Sequence, residues 1–263
     1  MDVGGEIIRA DGISKRFGAM LAVDRVDYRL HANEVAGIIG SNGAGKTTFF
    51  NLLTGYYTPD AGTIRYKGED VTALKPRERV ARGMMRTFQL TSTFENLSVI
   101  DNLMLAFFRA HRPSSLLQLL LNTRRRQRRE PRIAEALDTF GLGHARDREV
   151  RHLGLGEKRR LEIAMAILAE PEVLLLDEPL AGLAETEIRG VLDVLRGHAG
   201  RQTILIVEHK ISQVQDFLQR LTVMHEGRVI ADGACEECLR HPEVRRSYWQ
   251  IEVRAGEDGI GAA

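Results

Sequence analysis

Eight consecutive residues, Gly40-Ser41-Asn42-Gly43-Ala44-Gly45-Lys46-Thr47, place glycine at the first, fourth and sixth positions and end in lysine and threonine. This is the pattern GxxxxGK[ST], and each position has a chemical reason. Glycine lets backbone N–H groups turn inward around a phosphate where side chains would collide. A helix beginning near Lys46 points its positive end at the same anion, with Thr48 beside it on the first turn. Lys46 then reaches the β- and γ-phosphates, and the Thr47 hydroxyl faces a divalent cation, Mg²⁺. A second chemical element is Val173-Leu174-Leu175-Leu176-Asp177-Glu178, a hydrophobic strand ending in two acids. Asp177 at such an edge holds Mg²⁺ through water, and Glu178 polarises an attacking water. Either element alone has a bland reading, a chance match or a strand ending in solvated acids. Together they predict nucleotide hydrolysis.

The flanking segments have the form these residues need. Glu34 to Gly40 is apolar on both faces, as a buried parallel strand is, and leads directly into the glycine-rich turn. Thr47 to Leu53 has helical periodicity. Two further buried-strand patterns are 173–177 and 203–207, and helical stretches run from 185 to 195 and from 211 to 218. Residues 7–28 read as short alternating strands turning at Phe17-Gly18, and Gly62 to Tyr66 as an edge strand. Leu221–Met224 and Arg228–Ala231 form a hairpin about Glu226-Gly227. Between 90 and 170 helical periodicity replaces strands, in 97–108, 133–140 and 156–169. The pattern predicts an α/β fold, a parallel-sheet core with an antiparallel β region and an inserted α-helical sub-domain.

Composition bounds the function. A hydrophobic fraction of 43% and a charged fraction of 28% describe a globular chain of 263 residues. The formal net charge of +1 supplies no global field toward nucleic acid or anionic lipid. No apolar run reaches the roughly 18 residues that span a bilayer, and residues 1–5 lack the pattern of a signal peptide. Two cysteines, Cys235 and Cys238, are too few for a disulfide framework.

Further phrases carry a resemblance: Asn42-Gly-Ala-Gly-Lys-Thr-Thr48, Arg86-Thr-Phe-Gln89, Phe94-Glu-Asn-Leu-Ser98, Arg159-Arg-Leu-Glu-Ile-Ala164, Ala181-Gly-Leu183 and the ending from His241 to Tyr248. From about residue 7 to 250 the chain resembles the nucleotide-binding subunits of ABC transporters. It is most similar to the ATP-binding subunits of branched-chain amino-acid importers, with urea-importer subunits as near relatives. The resemblance implies a P-loop NTPase of the ABC ATPase type, with residues 7–89 and 171–250 as catalytic core, 90–170 as helical sub-domain and 251–263 as a tail. It implies ATP and Mg²⁺ as cofactors. Phe17 would stack on adenine, Gln89 would complete the Mg²⁺ shell with Thr47 and Asp177, and His209 would contact the γ-phosphate and hold Glu178. Alone, each of these three residues reads more simply as core or surface.

In that family a signature loop, consensus LSGGQ, completes the nucleotide site of the opposite subunit. Here it reads Leu153-Gly154-Leu155-Gly156-Glu157, so the candidates acting in trans are Leu153, Gly154, Gly156 and Glu157. Gly154 replaces the serine and removes a hydroxyl donor worth about 1.5–3 kcal/mol against a charged phosphate. Ala184 stands where the family has aspartate or asparagine. Both departures serve the opposite site, and they predict pairing with a different ATPase subunit. The other partners implied are integral membrane permease subunits at the cytoplasmic face of the inner membrane and, indirectly, an extracytoplasmic solute-binding protein, with no nucleic acid. Competing readings are an ABC exporter, a non-transport ABC ATPase of DNA repair or translation, and a nucleotide-binding regulator. The intact Glu178 and His209 speak against the last. No second cassette or coiled-coil insertion supports the non-transport reading.

Two weaker signals resolve to plain readings. The run Arg124 to Arg129 lacks interleaved aromatics and reads as a solvated face. Cys235, Cys238 and His241 offer three metal ligands where a structural zinc takes four.

Overall fold

The computed structural model describes residues 4–86, 93–110, 130–209 and 211–248. Gln89 and the run Arg124 to Arg129 lie outside the described residues.

The three doubly apolar runs form adjacent strands at the centre of one sheet. β3 (Val35–Gly40), β7 (Val173–Asp177) and β8 (Thr203–Val207) are buried at every residue. Their neighbours complete a six-stranded order β10-β9-β3-β8-β7-β6, with β6 (Met84–Arg86), β9 (Arg220–His225) and β10 (Arg228–Gly233). All pairings are parallel except the hairpin β9–β10. Alternation sorts each strand's side chains onto two faces. Val35, Ile39, Leu174, Leu176, Ile204 and Ile206 enter one core, while Ile38, Val173, Leu175, Leu205 and Val207 enter the other.

The second core is covered by an antiparallel sheet of order β2-β1-β4-β5 and by helix α1 (Lys46–Leu53). β1 (Glu6–Phe17) and β2 (Met20–His31) are 12-residue strands, longer than the short segments expected, because bulges let one continuous pairing absorb the irregular pattern. Gly18, at φ 57°, makes the tight turn between them. β4 (Ala61–Tyr66) is not a bare edge, since the two-residue β5 (Glu69–Asp70) pairs with it.

The first core is covered by α3 (Val99–Ala110), α4 (Pro131–Thr139), α5 (Leu155–Leu168) and α6 (Glu185–His198). A short α2 (Pro76–Ala81) precedes β6, and α7 (Cys235–Arg240) and α8 (Pro242–Tyr248) close the described chain. The helix expected over 211–218 is absent. A 3₁₀ turn at Ile211–Gln213 is followed by separate turns that still bury Val214, Phe217 and Leu218. Strand β6 was not legible as a strand, and it forms the edge of the large sheet beside β7.

Arg79 in α2 fastens the two layers near the end of α1. Only 1% exposed, its guanidinium donates to the carbonyls of Leu52, Leu53, Val71, Thr72 and Leu74. The first two are acceptors at the C-terminus of α1, where cations are favoured.

Candidate functional site

The turn between β3 and α1 is shaped by close backbone approaches. A Cβ on Gly40 would lie 2.3 Å from the Met224 carbonyl oxygen, and one on Gly45 would lie 2.3 Å from that of Ala22. Gly43 and Gly45 also hold φ of 80° and 94°, which L side chains resist. Ala44 N–H closes the turn on Ser41 O at 3.1 Å, and Gly227 N–H reaches Ala44 O at 3.0 Å. The loop is thereby wedged between β2 and the β9–β10 hairpin. Residues 42–48 line a cleft of about 500 Å³ together with Met20, Leu21, Ala22, His209 and Glu226.

Lys46 is 4% exposed, and its ammonium donates to Gly40 O at 2.7 Å and Ser41 O at 3.0 Å. Burial lowers its pKa, while the charges of Glu178 and Asp177 pull the other way. The lysine and the acid pair therefore share one electrostatic neighbourhood. Thr47 and Thr48, the second and third residues of α1, line the same cleft.

Asp177 ends β7 opposite Val207 of β8 and is 0% exposed. Its Oδ2 accepts from Arg86 Nη2 at 2.9 Å, and its Oδ1 has no hydrogen-bond partner among the described residues. Burial raises the Asp177 pKa, and Arg86 opposes the rise. A buried carboxylate oxygen left without a partner beside the charge of Lys46, on whose helix turn the exposed Thr47 hydroxyl follows, is oxygen chemistry suited to a hard, hydrated divalent cation. The residues present therefore fit Mg²⁺.

Glu178 follows with φ 48°, a left-handed backbone that is uncommon for glutamate. Three contacts hold it there. Its N–H donates to Val207 O at 2.9 Å, and its carbonyl accepts from Arg159 Nη2 at 2.7 Å. Its Oε1 lies 2.8 Å from Nε2 of His209, whose exposed ring rises from the end of β8. Glu208, by contrast, is 4% exposed and points inward, where it accepts from the N–H of Leu180 at 3.0 Å and of His209 at 3.3 Å. Burial pushes the Glu208 carboxyl up to about 7.

Phe17 sits at the end of β1, 39% exposed, edge-on to Tyr57 with ring centroids 5.3 Å apart. It stands across the hairpin from Met20, which lines the cleft. The loop 153–157 lies elsewhere, at the N-terminus of α5. Gly154 N–H donates to Glu157 Oε2 at 2.8 Å, and His144 Nε2 is 2.8 Å from Oε1 of the same carboxylate. A Cβ on Gly156 would come within 2.1 Å of Glu187 Oε1, so this helix start packs closely on the start of α6. Leu153 is buried, whereas Leu155 is 61% exposed.

The structure thus gathers Gly40 to Thr48, Asp177, Glu178 and His209 at one edge of the large sheet. Leu153, Gly154, Gly156 and Glu157 stand apart from the cleft. Three participants were not singled out by the sequence: Arg86, Arg159 and Glu208. Arg159 and Glu162 offered a signal, two charges spaced i,i+3 on a helix face otherwise buried, and they pair at 2.8 Å.

Known proteins resemble this chain in sequence and fold. The family model described as ABC transporter matches residues 23–181. The high-affinity branched-chain amino acid transport ATP-binding protein LivG of Escherichia coli (strain K12) is 37% identical over 249 residues, which cover 92% of this chain and 97% of LivG. The lipopolysaccharide export system ATP-binding protein LptB of Haemophilus influenzae is 32% identical over 243 residues, covering 92% of this chain and 96% of LptB. A solved ATP-binding cassette of an ABC transporter in its ADP conformation superposes with a TM-score of 0.77 at 30% identity, over 94% of this chain and 99% of that one.

Proposed function

Because this chain belongs to the ABC transporter family, we propose that it is the ATP-hydrolysing motor of an importer for branched-chain amino acids or a similar small polar solute. One observation carries the hydrolytic part. The Glu178 carboxylate and His209 imidazole lie 2.8 Å apart at neighbouring strand ends, beside the loop that holds Lys46.

The residues act as follows. Backbone N–H groups of residues 40–48 receive the phosphates, and Lys46 trades its two carbonyl partners for phosphate oxygens. Glu178 accepts a proton from the attacking water, and His209 holds that carboxylate in register and donates toward the γ-phosphate. Thr47, Asp177 and Gln89 are the residues that would hold Mg²⁺, which when bound neutralises charge on the β- and γ-phosphates. Phe17 offers its ring edge of the cleft to adenine. Lys46, Thr47, Thr48 and the glycine-rich turn, all in the lining of the cleft, suit a polyanion.

The catalytic core is residues 7–89 and 171–250, with 90–170 as the helical sub-domain, and the region after Gln89 passes closure to a membrane permease. Among the described residues no helix is long and apolar enough to cross a membrane, so docking on a permease at its cytoplasmic face would supply the membrane attachment. Leu153, Gly154, Gly156 and Glu157 serve the opposite subunit's nucleotide. Gly154 and Ala184 lack the side chains that would reach across, which favours a distinct second ATPase as the partner. An extracytoplasmic binding protein then selects the solute.

The likeness to LptB supports a second reading, an export motor with the same hydrolytic site. Affinity purification of this chain from its native host in mild detergent tests both. Polytopic permease subunits with a solute-binding protein and a second ATPase are the expected company. Components of an envelope-lipid export system would establish the second reading, and ribosomes or DNA alone would remove transport altogether.

A further inference from the structure

The two oxygens of the buried Asp177 carboxylate are treated differently. Oδ2 is taken by Arg86, and Oδ1 is left open. Arg86 is the last residue of β6, paired in register with Leu175 of β7, so it approaches Asp177 from the edge of the sheet. Its guanidinium is held from several directions. Nη1 donates to Asn51 Oδ1 at 2.5 Å and to Thr54 Oγ1 at 3.1 Å. The rings of Phe50 and Tyr56 each lie 4.8 Å from the guanidinium carbon. The side chain is only 11% exposed. Phe50 and Asn51 belong to α1, and Thr54 caps it, so these anchors sit on the helix whose first turn carries Lys46 and Thr47.

We propose that Arg86 is a positioning residue for the nucleotide site. By occupying Oδ2 it fixes the carboxylate plane of Asp177 and presents Oδ1 as the oxygen available to the hydrated cation that accompanies nucleotide. The inference rests on the nucleotide reading above. A carboxylate rotates about a broad, two-fold torsion, so a buried aspartate held by nothing has no defined open oxygen. A guanidinium packed against two rings and bonded to two further oxygens resists following that rotation. Lysine would carry the charge without the planar fork or the stacking. The same side chain bridges α1 and β7, which are the two elements that supply Thr47 and Asp177. Asp177 lies 91 residues from Arg86 in the chain.

A plainer role competes with this one, in which Arg86 only neutralises a buried acid and holds β6 in place. Nucleotide binding separates the two. The purified full-length chain is titrated with a fluorescent ADP analogue with and without Mg²⁺, and thermal unfolding is followed on the same samples. Wild type binds more tightly with Mg²⁺, and Asp177→Asn loses that gain. Arg86→Lys is expected to keep its Mg²⁺-free affinity within about twofold while its Mg²⁺-dependent gain falls about tenfold, the usual scale for a partner that orients a metal ligand. Asn51→Ala leaves the Arg86–Asp177 pair intact and loosens the clamp, so it should lose a smaller part of the gain, and it serves if Arg86→Lys does not fold. A full Mg²⁺-dependent gain in both variants overturns the proposal. So does an equal loss of affinity with and without Mg²⁺, which is the mark of a structural role alone. If wild type shows no Mg²⁺-dependent gain, or Asp177→Asn retains it, the nucleotide-metal reading falls and this inference falls with it.

Discussion

The imidazole Nε2 of His209 and the carboxylate Oε1 of Glu178 meet at 2.8 Å although 31 positions separate them in the sequence. Register brings them together: Asp177 pairs with Val207, and each side chain of interest follows just past its strand end. Glu178 stands at the meeting point with its backbone turned left-handed, at φ 48°. Replacing His209 with alanine should therefore leave nucleotide affinity within about threefold and reduce kcat by about 10² or more, the scale of a lost general acid–base partner. Glu178→Gln should do the same. Steady-state hydrolysis beside equilibrium nucleotide binding decides it, and a loss confined to binding would place both residues outside the chemistry.

Glu208 sets a pH dependence whose sign is defined. Its carboxyl has a folded-state pKa of about 7 against an ordinary 4.5, because burial disfavours the charged form. The folded chain then holds a proton that the unfolded chain releases between these values, so stability falls as pH rises through the window and levels off above it. The full effect is about 3 kcal/mol. Glu208→Gln keeps an acceptor for the Leu180 N–H and removes the charge. Urea unfolding at pH 5 and pH 8 should show a smaller decline for the variant than for wild type, and parallel declines would contradict the assignment.

Gly154 can accept a serine. Its backbone, φ −66° and ψ 163°, is extended, and a Cβ there would meet Glu157 Oε2 at 3.6 Å, an ordinary contact. A serine in place of glycine at an N-cap stabilises its helix by only about a few tenths of a kcal/mol. Gly154→Ser should raise thermal stability slightly and, in the assembled transporter, increase turnover at one of two nucleotide sites. Equal increases at both sites would argue for two identical ATPase subunits.

Arg79 is a structural counterpart. Its five acceptors among the described residues are all backbone carbonyls, and burial brings its pKa down to about 10. Arg79→Met removes the charge but strands those carbonyls, so we expect a loss of about 3–5 kcal/mol by chemical denaturation. A loss below about 1 kcal/mol would mean that water replaces the guanidinium without difficulty.

The legible part of this molecule was the part whose information is local. Val35 to Gly40, Val173 to Asp177 and Thr203 to Val207 announce buried parallel strands because both faces are apolar, and glycine spacing announces the loop between β3 and α1. The segment 211–218 shows how such a reading fails. Ile211, Val214, Phe217 and Leu218 keep helical spacing because they face one core, while the backbone closes in separate turns. Periodicity reports burial there, not helix. Arg86, Arg159 and Arg79 were illegible for a different reason. Each acts on groups 19 to 91 residues away, on Asp177, Glu178 and the end of α1, and no local pattern encodes such a partner.

The strand that carries the glycine-rich loop has both of its neighbours, β8 and β9, drawn from residues 203–225. Even the loop itself leans on Gly227. During synthesis β3 therefore emerges long before anything it can pair with, and a purely apolar strand must wait while more than 160 further residues are made. The phosphate-binding turn is a late product of folding, although the residues that form it are among the first translated. Severing the chain anywhere between 48 and 202 would leave an N-terminal piece with the complete motif and no lateral partner for its strand, prone to associate with other copies instead of binding nucleotide.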